Sequence, residues 1–285
     1  MTSFPEQNPE ADALAVQEHT RLFPFTRRAL GAMRRELLVF LDTLGCAVLY
    51  AGEMARFIFK GQFNTKHLMQ QMAFVGIDTL GIALVMTIFS GMVIALQIAK
   101  EMVKQGAGDY VGALVSMAII REMAPIMTGF AVIAMAGSAY AAELSTMQIT
   151  SQVSALEVLH VSPVRYLLMP RVLAGMIALP LMNIITAVAG ILGGLVISYY
   201  LADIHPGQFL DSVWNQTSFK DVFAMLGKSC VFGFIIFTIS ATIGLNTTGG
   251  SREVGKATTR SVVWSFILMA ISDYILTYLI YGTRS

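Results

Sequence analysis

The sequence predicts an all-α integral membrane protein, with about five transmembrane helices preceded by an amphipathic interfacial helix. Three observations carry this. Five long apolar stretches run at about 72–99, 110–142, 166–201, 222–245 and 261–281. Each exceeds the roughly 20 residues that a helix needs to cross the hydrocarbon core. The charged fraction is only 13% and the mean hydropathy is +0.67, so a water-soluble fold is excluded.

The chain divides into three parts. Residues 1–26 read as a flexible cytosolic tail: the first 20 are acidic and polar, with no basic start and no apolar run of a signal peptide. Residues 27–66 read as an interfacial helical segment. Leu30, Leu37, Leu41, Leu44 and Val48 recur at helical spacing, and Arg27, Arg28, Arg34 and Arg35 precede most of them. The apolar core of this segment, 37–51, is too short to span and contains Asp42. A short sixth span is the alternative, but it would reverse the charge bias. Residues 67–285 hold the five spans.

Lys and Arg gather on the cytoplasmic side of membrane proteins. The first 70 residues hold Arg21, Arg27, Arg28, Arg34, Arg35, Arg56, Lys60 and Lys66. The loops at 143–165 and 246–260 carry Arg165, Arg252, Lys256 and Arg260, whereas 202–219 has Asp203 and Asp211 and no Lys or Arg. The N-terminus is therefore expected in the cytoplasm and the C-terminus outside it. The turn at 100–109, with Lys100 and Lys104, dissents mildly.

Between the second and third stretches, 143–163 reads as a short amphipathic helix ended by Pro163. Ile149, Val153, Leu156 and Leu159 form its apolar stripe. Such a helix either lies on the membrane or docks into a partner's groove. Gly190 and Gly194 are four apart, a spacing that allows close helix approach.

Charge inside a bilayer is costly and needs a partner or a task. Arg121 and Glu122 lie about eleven residues into the second stretch, just before Pro125. Neighbours on a helix point about 100° apart, so they do not form a simple pair. Lys228 and Asp273 fall at similar depth in antiparallel neighbours and are expected to form a structural ion pair. Ile94, Ile98 and Met102 share one face of the first stretch; packing, lipid exposure and an apolar pocket all fit that pattern. Cys46 and Cys230 suggest no disulfide framework, and the four histidines show no metal-ligand spacing. The run 250–257 falls short of a nucleotide-binding P-loop, because Ala257 stands where a Ser or Thr must reach Mg²⁺. No nucleophile–base constellation is present, and no enzyme is expected.

Several motifs carry a resemblance. They are Arg121-Glu122-Met123-Ala124-Pro125, Ala136-Gly137-Ser138-Ala139, Ala142-Glu143-Leu144-Ser145-Thr146-Met147, and Gln152-x-x-Ala155-Leu156-Glu157. A later block runs from Val254 through Gly255-Lys256-Ala257-Thr258-Thr259-Arg260 to Val263, followed by Asp273-Tyr274-x-Leu276-Thr277. The chain resembles the MlaE/YrbE family of ABC-transporter permeases from about residue 74 to 282. It departs from that pattern at Ala134-Met135, where the family usually has Gly-Arg, and at Ser145 and Ser151.

The resemblance implies a permease subunit moving phospholipid or a related lipid between the inner membrane and the outer envelope. It implies a homodimer, cytosolic ABC ATPase subunits and a lipid-binding partner with an MCE domain. ATP and Mg²⁺ would bind in the ATPase, leaving this chain without a cofactor, and no nucleic acid is implied. The segment 143–163 would be the coupling helix, with Glu143, Ile149, Gln152, Val153, Ala155, Leu156 and Glu157 facing the ATPase. Ile94, Ile98 and Met102, with Arg121 and Glu122, would meet the lipid. The rival expectation is a stand-alone, ion-coupled secondary transporter that uses Arg121, Glu122, Lys228 and Asp273 as a relay.

Overall fold

The computed structural model describes residues 24–59 and 65–282. Most of the expected tail therefore lies outside the described residues, as do 60–64 of the interfacial segment. The described chain is helical. It comprises α1 (Pro24–Phe59), α2 (Thr65–Lys104), α3 (Gly108–Ile149), α4 (Gln152–Val158), α5 (Val164–Ala202), α6 (Pro206–Gln216), α7 (Phe219–Leu245) and α8 (Ser251–Tyr281). Among the described residues, five helices are long and apolar enough to cross a membrane: α2, α3, α5, α7 and α8. Contacts divide the chain at residue 45 into two units. The first holds the opening of α1, where Leu38 and Leu41 are exposed. The second holds everything else.

The helices run past the apolar stretches at several ends. α2 begins at Thr65 and α8 at Ser251, because polar residues continue a helix into water once the apolar run has nucleated it. Two stretches between the spans are ordered differently from expectation. First, 143–163 is not one helix: Glu143–Ile149 is the last part of α3, and Ser151 takes a left-handed backbone (φ 60°) that ends it. α4 is then only seven residues long, and Pro163 opens α5 instead of closing α4. Second, the stretch at 202–219 contains α6. Asp203, also left-handed at φ 51°, stops α5, and Pro206 starts α6 at a position where its missing N–H costs nothing. Phe209 of α6 is buried, while Leu210 and Trp214 point outward.

Three π-turns interrupt the spans, at Ile119–Met123 and Ile133–Gly137 in α3 and at Val164–Leu168 in α5. Pro125 follows the first and Pro170 the third. A proline cannot donate to the carbonyl four residues back, so the ladder loosens beside it.

Close approach at glycines sets the packing. A Cβ on Gly91 would lie 2.2 Å from the Gly190 carbonyl oxygen, so α2 and α5 touch backbone to backbone. Gly193 continues this seam against Ile88 of α2, and Gly194 meets Val115 of α3. A Cβ on Gly233 of α7 would lie 2.5 Å from the Gly175 carbonyl oxygen of α5. In lipid, where burial drives helix association weakly, this contact is the main attraction available. Two apolar clusters result. One gathers Tyr140, Val153, Val164, Phe237 and Leu245 towards the α4 end. The other gathers Val111, Ile119, Ile204, Phe209 and Met225 towards the α6 end.

The seam predicts an asymmetry between glycines. Gly91→Ala should destabilise by about 1–3 kcal/mol or more, because backbone must shift. Gly227→Ala, where a Cβ meets nothing within 4 Å, should be neutral or slightly stabilising. Thermal unfolding of both variants in mild detergent checks this; equal midpoints would refute the seam.

Candidate functional site: a charged layer between three helices

The site forms where α3, α7 and α8 meet. Lys228 of α7 lies nine residues from the start of its helix, roughly 14 Å along the axis. Its side chain is 1% exposed. Nζ sits 3.0 Å from Glu122 Oε1, 3.0 Å from Asp273 Oδ1 and 2.6 Å from Thr277 Oγ1. It also donates to the backbone carbonyl of Arg121 at 2.9 Å. That carbonyl is four residues before Pro125, so it is the one the proline leaves without its helical donor. The expected Lys228–Asp273 pair is thus present, and Glu122 and a proline-freed carbonyl complete it.

Arg121 turns the other way, as the 100° offset requires. Nε lies 2.9 Å from Asp221 Oδ1, and the guanidinium stacks 4.5 Å from the centre of the Tyr281 ring. The Tyr281 hydroxyl donates to Asp221 at 2.9 Å. Asp221 also closes a capping box with Ser218 at the start of α7, which fixes it in place. Arg121 therefore holds a carboxylate of its own. Its side chain and that of Glu122 keep exposures of 29% and 31%.

A second charged pair lies towards the α4 end. Arg171 of α5 is 4% exposed and donates to Glu143 at 2.6 Å and to the Leu167 carbonyl at 3.3 Å. Its guanidinium lies 5.1 Å from the centre of the Tyr140 ring, whose hydroxyl donates to Gln71. Glu143, expected to face a partner, pairs with Arg171 within the chain and stays 52% exposed. Neither Arg171 nor Asp221 was singled out by sequence reasoning. An arginine five residues into an apolar run and the Ser-x-x-Asp spacing at 218–221 are the signals that could have found them.

The structure separates the other expected residues. Val153 is buried in the apolar cluster and Leu156 packs on it, so these two face their own chain. Gln152, Ala155 and Glu157 are exposed, Ile149 is half-buried, and Val158 and Leu159 are 78% and 71% exposed. The expected stripe breaks because α4 ends at Val158 and the chain turns. Burial raises the Tyr50 phenol above its ordinary value, with Cys46, Glu53 and Glu157 adding to the effect. Glu53 accepts from the Ser162 hydroxyl at 3.1 Å, so the later part of α1 braces the α4 turn. Ile94, Ile98 and Met102 are all half-buried, and the last two pack on the cluster at the α6 end. Asp109, Tyr110, His205, Gln208, Asp211 and Asn215 line an open cleft of about 590 Å³ between α3 and α6.

The three-way cluster predicts an order of stabilities. Lys228→Met leaves two carboxylates facing each other and should cost about 3–5 kcal/mol, less to the extent that water reaches Glu122. Adding Asp273→Asn should restore part of the loss, and adding Glu122→Gln as well should restore more. Folded yield and melting midpoint across the series check this; strictly additive losses would show that the groups do not interact.

The comparisons with known proteins agree with this architecture. A model of the family described as Permease MlaE matches residues 68–279. A "Probable ABC transporter permease protein" of Synechocystis sp. is 40% identical over 87% of this chain and 94% of its own length. One of Rickettsia typhi is 34% identical over 87% of this chain and 95% of its own. The chloroplastic protein TRIGALACTOSYLDIACYLGLYCEROL 1 of Arabidopsis thaliana is 34% identical over 80% of this chain and 65% of its own length. The rival reading of a stand-alone, ion-coupled transporter gives way to these matches. The chain belongs to the MlaE permease family and is the non-catalytic membrane subunit of an ABC transporter, working with a separate ATPase subunit.

Proposed function

We propose that this permease moves phospholipid or a related lipid between the inner (plasma) membrane and the outer envelope. Two copies would form the transport unit, an ATPase with bound ATP and Mg²⁺ would sit under the α4 turn, and an MCE-domain protein would exchange lipid with it. The observation that carries the ATPase contact is the α4 turn. Val158 and Leu159 expose two large apolar side chains beyond the bundle, beside the exposed Gln152, Ala155 and Glu157. Val153 and Leu156 anchor that turn to the core, so a push on it reaches α3 and α5. An apolar tip on a polar rim suits a groove.

Lipid as cargo draws support from one relative, whose printed name is that of a galactolipid. The face bearing Ile94, Ile98 and Met102 is half-open, and methionine adapts to varied acyl chains. Arg121 is held in place by Asp221 and Tyr281 yet partly exposed, so a phosphate can reach a guanidinium already oriented for it. Glu122 and Lys228 lie behind it as the structural half of the layer.

The charge bias supports a cytoplasmic α4 end. Arg165, Arg252, Lys256 and Arg260 lie there, while Asp203 and Asp211 lie at the α6 end. The N-terminus would be cytoplasmic and the C-terminus periplasmic. In a background lacking Cys46 and Cys230, an impermeant thiol reagent should label Asn215→Cys from outside intact cells but not Ser251→Cys. The opposite labelling would invert the orientation.

The α4 contact has its own test. Val158→Asp combined with Leu159→Asp should leave permease amount and melting midpoint near wild type, while co-purified ATPase falls about tenfold or more. Val153→Asp should instead destabilise the permease itself, since it buries a charge. Normal ATPase recovery by the double variant would refute this seat.

A further inference from the structure

We propose that Asp221 is a built-in competitor of the lipid phosphate, and that it sets how loosely this permease holds its cargo. The inference rests on the reading of Arg121 as the group that meets that phosphate. Arg121 pairs with Asp221 side-on: Nε lies 2.9 Å from Oδ1, and Nη2 donates to Oδ2 at 3.4 Å. The Tyr281 ring stacks on the guanidinium at 4.5 Å. A planar fork held along one edge and over one face still has its Nη1–Nη2 end, which matches two phosphate oxygens. The Arg121 side chain keeps 29% exposure, whereas that of Asp221 keeps 7%. A phosphate therefore joins the guanidinium beside the carboxylate and does not replace it.

Asp221 is too well held to step aside. Oδ1 also accepts from the Tyr281 hydroxyl at 2.9 Å, and Oδ2 from the Ser218 backbone N–H at 3.4 Å. It lies in the first turn of α7, where the helix dipole favours a negative charge. The carboxylate then acts on an arriving phosphate in two ways. It offsets the charge of Arg121, and it repels the phosphate at close range. An arginine without that partner would hold phosphate firmly, as a receptor does. A carrier that releases lipid in every cycle needs the weaker hold, because tight binding of the ground state slows turnover. Lys228, 1% exposed between Glu122 and Asp273, is turned to those carboxylates. Lys220, 5.6 Å from the Tyr281 ring, donates to the Ile280 carbonyl at 3.2 Å and keeps its charge in every comparison below.

Two measurements on the full-length permease test this. One is titration with phosphatidylglycerol and with diacylglycerol in a neutral detergent. The other is ATP-driven movement of fluorescent phosphatidylglycerol in vesicles that hold the permease with its ATPase. Asp221→Asn should tighten phosphatidylglycerol about tenfold and slow its movement about fivefold, with diacylglycerol affinity unchanged. A purely structural role would lower affinity and turnover together. Tyr281→Phe keeps the ring but removes the hydroxyl that shares Oδ1. Asp221 then grips Arg121 harder, and phosphatidylglycerol should bind about threefold more weakly. Unchanged or weaker phosphatidylglycerol binding by a folded Asp221→Asn variant, or equal tightening of diacylglycerol, would overturn the competitor. If Asp221→Asn folds poorly, Tyr281→Phe decides, and unchanged binding there would likewise overturn it. Phosphatidylglycerol binding untouched by Arg121→Gln would remove the lipid contact itself, and this inference with it. Weakening by Arg121→Gln with no gain in Asp221→Asn would overturn the inference alone.

Discussion

The structure depends on neutralising one buried cation. Lys228 is a full charge with 1% exposure, surrounded by helices chosen for their apolar surface. Unpaired, it would cost several kcal/mol in lipid, so the helices around it must bring acceptors to one point. α3 brings Glu122 and the carbonyl that Pro125 leaves free, and α8 brings Asp273 and Thr277. That requirement fixes the rotation and the axial register of three helices at once. Apolar packing alone would leave both degrees of freedom loose.

The glycine seams complete what the ion cluster begins. α2 is held to α5 where Gly91 meets Gly190, and α5 to α7 where Gly175 meets Gly233. The backbones of α2 and α5, and of α5 and α7, are thus in direct contact and cannot slide without clash. Arg171 and Glu143 add an ionic tie near that turn. In this arrangement the ionisable residues serve as clamps, and the energy source lies in the separate ATPase subunit. Of the layer's charged groups, Arg121 and Glu122 combine a fixed position with the greater exposure, 29% and 31%.

The five spans were legible in the sequence because each apolar run is long enough to force its own assignment. Their ends were not, since polar residues at 65–71 and 251–260 remain helical without adding hydropathy. α6 escaped notice because its signals, Pro206 as a start and Phe209 with Val213 one turn apart, are short and lie between two turns. The Lys228–Asp273 pair was legible from shared depth in helices joined by a short turn. Glu122 was not assigned to it, because rotation of α3 against α7 is set by contacts between residues about a hundred positions apart. The break at Ser151 was equally silent: a left-handed backbone is expected of glycine or asparagine, and serine gives no warning. That break decides which side of α4 faces inward, and hence why Leu159 is exposed while Val153 is buried.

The central claim is that the charges within the membrane clamp the helices while ATP hydrolysis in the separate subunit drives movement. Its most direct test is transport of fluorescent phospholipid in vesicles, comparing this chain alone with the chain plus its ATPase, under either ATP or an imposed pH or sodium gradient. The account predicts movement that requires both ATP and the ATPase and that ignores the ion gradients. Movement driven by an ion gradient in vesicles holding this chain alone would contradict it.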